Sequence, residues 1–255
     1  MKIVIISKNE NAESIAYNLI LYKGFDIYLV SPNATKSKYN AINLTKLNDS
    51  DLLDYETLKV NLNIERFGWY FQQFLKYECI LKLKGNEFMI IDGDSVVSPE
   101  LCVNNTFFSV KGRSVNPEYS CFYKKIFPDD KIVAEYLITN QMVFKKDILL
   151  ELIKDMENRF ELDWKLTMSD AINENNTGNY AWFSEYQTYA NYALNRYGYL
   201  KIKPAKVFRR FDLINTSIDN GLGKYDVISF ENQHKTGLLR TVKAKVYYWL
   251  GIELG

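Results

Sequence analysis

Two aspartates separated by one glycine, Asp92 and Asp94 in "FMIIDGDSVV" (Phe88 to Val97), are the sharpest chemical feature of the chain. They follow an apolar run that reads as a buried strand, at the edge where open α/β sheets bind ligands. Residues i and i+2 of a strand lie on one side, so these carboxylates repel each other unless a cation lies between them. Mg²⁺ or Mn²⁺ prefers hard oxygen ligands and commonly keeps substrate phosphate oxygens in its shell. Gly93 would let a phosphate approach the backbone. The plainer alternative is a strand-ending turn capped by aspartate. A second D-x-D, Asp49-Ser50-Asp51, lies in the polar "TKLNDSDLLD", which reads as a loop or helix start.

Other residues of chemical interest fall on helices. Trp69, Gln72, Gln73 and Lys76 recur at helical spacing and can share one face. Glu185 and Tyr186 open a later helix just after Ser184, with Gln187 three residues beyond that cap, the pattern of a capping box. A carboxylate in a first turn is favoured by the helix N-terminus, which is sufficient reason for Glu185. The single histidine, His234, ends an apolar strand and is followed by Lys235 and Gly237. Cys79, Cys102 and Cys121 share no metal-type spacing, which fits a reduced, cytosolic protein.

The elements that must position these residues follow from periodicity. "KIVIIS" reads as a buried strand, "ESIAYNLILYKG" as a helix closing at Gly24, and "FDIYLVSP" as the next strand. This β-α-β start predicts a Rossmann-like sheet with helices on both faces. No G-x-G-x-x-G follows the first strand, which argues against classical dinucleotide binding. Residues 33 to 63 read as polar and irregular, with a short strand at "YNAINL". Ile64 to Leu83 reads as one amphipathic helix. "SPELCVNNTFFSVKG" and "KIVAEYLITNQMVF" read as strands that can pair antiparallel, and "KKDILLELIKDMENR" and "SEYQTYANYALNRYG" as helices. "YLKIKPAKVFRRFD" and "YDVISFENQH" are late strands.

The 255 residues suffice for one large domain or two small ones, and a net charge of +1 points away from nucleic acid as a partner. The apolar run at the start is shorter than a signal peptide needs, and no stretch approaches a membrane span, so a cytoplasmic protein is expected. The tail "LLRTVKAKVYYWLGIEL" sets Arg240, Lys243 and Lys245 beside Tyr247, Tyr248 and Trp249. It reads either as a segment that lies on an anionic membrane surface or as one that packs on the domain.

Three of these stretches together resemble a known group. "GWYFQQFLKY" (Gly68 to Tyr77), "IIDGDSV" (Ile90 to Val96) and "SEYQTYANY" (Ser184 to Tyr192) match, in order and spacing, the G-W-x-x-Q-Q-x-x-K, D-x-D and S-E-Y-x-x-Y-x-N-Y pattern of bacterial polysaccharide and lipopolysaccharide glycosyltransferases of the GT-A fold. The match spans roughly residues 64 to 195; the first 60 residues carry only generic strand–helix–strand likeness. The resemblance implies one α/β domain over residues 1–237 with a mixed central sheet flanked by helices, and a tail over 238–255. It also implies a nucleotide-sugar donor, a glycan or lipid-linked glycan acceptor, and Mn²⁺ or Mg²⁺ on Asp94 with Asp92.

Further roles are carried over with it. Lys76 would contact a phosphate and Gln72 and Gln73 would hold sugar hydroxyls, against the alternative of a core Trp69 and a solvated face. Glu185 would be the general base in an inverting enzyme. His234 would be a third metal ligand, with Lys235 and Arg240 on the diphosphate, although Arg240 stands where the related H-x-x-G-x-x-K pattern has lysine. Asn140 and Gln141 would touch the donor sugar in a retaining enzyme, or simply form a helix entrance, so the stereochemistry stays open. Outside this class stand a nucleotidyltransferase, which normally needs a Gly-rich loop that "SKNENAES" lacks, and a non-catalytic carbohydrate- or protein-binding module.

Overall fold

A run of β-branched residues at Lys2–Ile6 forms β1, and Glu13–Leu21 (α1) returns the chain so that Ile27–Ser31 (β2) pairs parallel to it. The computed structural model describes residues 1–10, 12–62, 64–174, 181–209 and 221–230. The region expected to be irregular contributes Leu44–Asn48 (β3), which extends the sheet as a parallel edge strand, and Tyr55–Asn61 (α2), capped by Asp54. The second D-x-D forms a 3₁₀ turn between them at Asp49–Asp51, the local role its polar context predicts.

Phe67–Lys82 (α3) leads into Glu87–Asp92 (β4), which lies parallel beside β1 with Asp92 opposite Ile6. Ser95–Val97 (β5) leaves the central sheet, and Thr106–Val110 (β6) starts a second one. Pro117–Ile126 (α4) was not anticipated, although Pro117 in its first turn and Tyr119, Phe122, Tyr123 and Ile126 give the helical signature. The stretch expected as a strand before Phe144 is extended only from Gln141: Gln141–Lys145 (β7) pairs antiparallel with β4. Asn140 and Gln141 therefore open a strand, which corrects the expectation that they follow one and enter a helix.

Lys146–Phe160 (α5) follows directly, then Trp164–Asn173 (α6), a second unanticipated helix, capped by Asp163. Glu185–Arg196 (α7) comes next. Lys201–Ala205 (β8), not the stretch that ends in β7, is the partner of β6, and the two pair parallel. Val207–Phe208 (β9) and Val227–Ser229 (β10) join β5 in a small third sheet.

The result is the mixed α/β architecture expected, with a central sheet in the order β3-β2-β1-β4-β7 flanked by helices. Its strands alternate between two cores. Val4, Ile6, Phe88 and Ile90 face a layer that holds α3, α5, α6 and α7, whereas Ile3, Ile5, Met89 and Ile91 face α1 and β6. Burial on both faces is why these strands read as continuous apolar runs. No helix among the described residues is long and apolar enough to cross a membrane.

Candidate active site

A cleft of about 550 Å³ opens at the C-terminal ends of β1 and β4. Ser7 and Lys8 continue from β1 into its wall, and Asp92, Gly93 and Asp94 continue from β4. Trp69, Gln72, Gln73 and Lys76 line it from α3, as their shared helical face predicts, and Glu185 and Tyr186 line it from the start of α7. Open α/β sheets bind ligands at such a carboxyl edge, because the strands end there and their connections diverge.

The cleft floor is a buried charge cluster. The Lys76 ammonium lies 2.5 Å from Asp92 Oδ1 and 2.5 Å from Glu185 Oε1. Tyr186 donates its hydroxyl to the same Asp92 oxygen at 3.0 Å, and its ring lies 4.2 Å from the ammonium. Burial alone would pull the Lys76 ammonium down, but Asp92 and Glu185 together hold it above the usual lysine range. Burial raises the Glu185 carboxyl, with Lys76 opposing. It also pushes the Tyr186 phenol far up, with Asp92 adding to the effect, so Tyr186 stays a donor. The like charge of the D-x-D thus already faces a cation at Asp92, supplied by the protein.

Helix α7 is docked to α3 through its first turn. Gln73 Oε1 accepts from the Glu185 backbone N–H at 3.1 Å, and Tyr77 donates to the Glu185 carbonyl at 2.8 Å. Because Gln73 Oε1 must face that N–H, its Nε2 is fixed on the other side, where it is buried without a partner among the described residues. Ser184 caps Gln187 N at 3.4 Å, as expected, but the capping box is not reciprocal. The Gln187 side chain instead accepts from Leu137 N and donates to the Glu135 carbonyl, tying down the segment ahead of β7.

The D-x-D turn is held from three sides. Gly93 N donates to the Ile6 carbonyl at 2.7 Å, and Ser14 donates to the Gly93 carbonyl. A Cβ built on Gly93 would lie 2.3 Å from Ser7 Cβ and 2.8 Å from Ser7 Cα. The close approach of β1 by itself demands glycine here, and Gly93 also lines the cleft. Asn140, at φ 59°, accepts from Asp92 N at 2.9 Å and donates its side-chain amide to Ser95 and Ser229 at 3.0 and 2.9 Å. Its amide is thus engaged in joining β5 and β10 to the turn. Gln141 is buried outside the cleft lining, with its Nε2 on Thr139 at 3.4 Å.

Asp94 behaves differently from Asp92. It is exposed and accepts from the Ser95 hydroxyl at 3.2 Å. Lys8 and Arg66 also line the cleft; burial lowers the Lys8 ammonium from its usual range, with Asp94 opposing and Arg66 adding. Arg66 stacks on Trp69 at 4.8 Å, and across the cleft Arg209 donates to the Ile138 carbonyl at 3.0 Å. Sequence reasoning missed Lys8, Arg66, Tyr119, Tyr136 and Arg209, all on the cleft wall. For Lys8 the signal was its place just beyond the first strand; the others carry no motif.

Among the described residues no group of three or more His, Cys, Asp or Glu side chains is placed to hold a metal. The available donors are hard oxygens, the exposed Asp94 carboxylate and the second oxygen of Asp92, whose Oδ1 already takes Lys76 and Tyr186. Such a set fits a hard divalent ion that brings water or phosphate oxygens to fill its shell. His234, Lys235 and Arg240 lie outside the described residues, as does the tail.

No protein-family model and no curated protein matches the sequence. Among solved structures, the chain is similar to the galactosyltransferase LgtC in complex with donor and acceptor sugar analogues, at 11% identity over 98% of this chain and 99% of that one, with a TM-score of 0.48. It is also similar to an active-site mutant of LgtC, at 12% identity over 98% and 95% of the two chains, with a TM-score of 0.39. A glycosyltransferase involved in the glycosylation of the major capsid of PBCV-1 matches at 11% identity over 98% and 100%, with a TM-score of 0.38. Overlaps this slight carry no functional argument.

Proposed function

We propose that the protein is a glycosyltransferase that moves a sugar from a nucleotide-sugar to a glycan or lipid-linked glycan of the cell surface, working at the cytoplasmic side. One observation carries the reading: the three stretches that resemble the transferase pattern, far apart in sequence, meet at Lys76 on the floor of one cleft.

Asp94, assisted by Asp92, would hold Mn²⁺ or Mg²⁺, with His234 as a further ligand. When bound, the ion supplies neutralisation of the charge that builds on a departing diphosphate. The chain's own groups do the rest. Lys8 and Arg66 lie on the wall that carries Asp94 and suit phosphate oxygens, with Lys235 and Arg240 as further contacts. The buried Gln73 Nε2 is a ready donor for a sugar hydroxyl. The Trp69 ring offers an apolar face. Glu185 was expected to be the general base. Its burial against Lys76 suits it better to orienting that ammonium than to meeting an acceptor hydroxyl.

The test is thermal denaturation with a set of nucleotide-sugars, with and without Mn²⁺. At about 100 times Kd a ligand adds roughly 2.7 kcal/mol. For a chain of this size that is a rise of roughly 5–10 °C. Asp94→Ala should remove the Mn²⁺-dependent part of the rise and leave the unliganded transition in place. If no nucleotide-sugar raises the transition with Mn²⁺ present, the reading falls.

A further inference from the structure

One oxygen of Asp92 faces two donors inside the protein. Lys76 meets Oδ1 at 2.5 Å and Tyr186 meets the same atom at 3.0 Å. The Lys76 side chain is 7% exposed and that of Glu185 4%, so both lie in the protein interior. Asp92 is 27% exposed, at the border between this interior and the cleft. Asp94, two residues on, is exposed. The two aspartates of the motif therefore stand in different surroundings, one turned to an ammonium and the other to the open cleft.

We infer that Lys76 is the resident counter-ion of Asp92, competing with a divalent ion for that carboxylate and dividing the D-x-D pair into an inward-facing positioning residue, Asp92, and a ligand-facing residue, Asp94. The idea rests on the proposed reading only in expecting a divalent ion at the cleft. The physics is direct. An ammonium in contact with two carboxylates, one buried and one at the cleft border, neutralises much of their charge. Remove it, and Asp92 and Glu185 repel each other with no cation between them. A divalent ion with oxygen preference is then drawn into the gap. Lys76 acts through Asp92 and is a positioning residue; a lysine that merely filled space would leave metal affinity unchanged when replaced.

The test uses Mn²⁺ alone, titrated into the full chain. The free-ion signal is followed by electron paramagnetic resonance, and the thermal transition is recorded with and without Mn²⁺. Lys76→Met should bind Mn²⁺ about fivefold or more tightly than wild type, the scale of removing one nearby like charge. Mn²⁺ should also restore most of the thermal stability that this variant loses. Lys76→Arg should behave as wild type. In the same assay Asp94→Asn should weaken Mn²⁺ binding by about tenfold or more, and Asp92→Asn by less than about threefold.

Equal or weaker Mn²⁺ binding by Lys76→Met overturns the inference and leaves the metal reading standing if wild type binds. Binding by Lys76→Met without binding by wild type supports the inference and removes the metal from the proposed function. If neither binds, both fall. Should Lys76→Met not fold, the two aspartate variants decide: equal weakening by both overturns the division of labour.

Discussion

Gly93→Ala separates packing from ligand binding at the D-x-D. The added Cβ would meet Ser7 Cβ at 2.3 Å, Oγ at 2.6 Å and backbone Cα at 2.8 Å. A flexible side-chain end can swing away, but a backbone Cα moves only with its strand, and β1 is locked between β2 and β4. Overpacking typically costs about 1–3 kcal/mol, and a backbone contact puts this case at about 3 kcal/mol. That corresponds to a fall in Tm of roughly 6–12 °C for a chain of this size. Ser7→Gly removes two of the three offending atoms, although it also loses the Ser7 hydrogen bonds with Asn9. The proper reading is therefore a double-mutant cycle from denaturation of all four proteins. The two changes should couple favourably by about 1–2 kcal/mol. If Gly93→Ala leaves Tm within about 1 °C of wild type yet abolishes nucleotide-sugar binding, the steric reasoning is refuted and the glycine is there for a ligand.

Two more substitutions probe the supports of the site. Asn140→Ala loses side-chain hydrogen bonds to Ser95 and Ser229 and places alanine at φ 59°, which should cost roughly 2–4 kcal/mol in urea denaturation. Asn140→Gly, which relieves the backbone, should cost measurably less. Asp54 caps α2 by accepting from Thr57 Oγ1 and N and from Glu56 N, and these bonds hold its carboxyl below the usual aspartate value. Its folded pKa is depressed, so its stabilisation is present above the ordinary aspartate value and lost as pH falls through the lowered one. Asp54→Ala should accordingly lower Tm at neutral pH, and the gap to wild type should close in strong acid; a gap that persists there would remove the charge from the explanation.

Much of the frame was legible in the sequence because it is local. The apolar runs at β1, β2 and β4, the helical periods of α3, α5 and α7, and the Ser184 cap each depend on residues within a turn or a strand of one another. The strand-end setting of Asp92 and Asp94 and the shared face of Trp69, Gln72, Gln73 and Lys76 follow from the same short-range geometry. Helices α4 and α6 carry comparable local signals, Pro117 in the first turn of one and the Asp163 cap of the other.

What the tertiary structure alone decided is which charges meet. Lys76 and Glu185 are 109 residues apart, and Tyr186 and Asp92 are 94 apart, yet all four share one buried cluster. No periodicity encodes such a contact, because it depends on how α3 and α7 dock over the end of β4. Other long-range contacts turn Gln187 from a helix cap toward Leu137 and set Asn140 to holding strands together. The parallel pairing of β1 with β4 brings Ser7 so close that only glycine fits at position 93. The sequence by itself determined that two carboxylates stand at a strand end; the fold determined that one of them already has a cation, because burial leaves a charge stable only where another chain segment brings its partner.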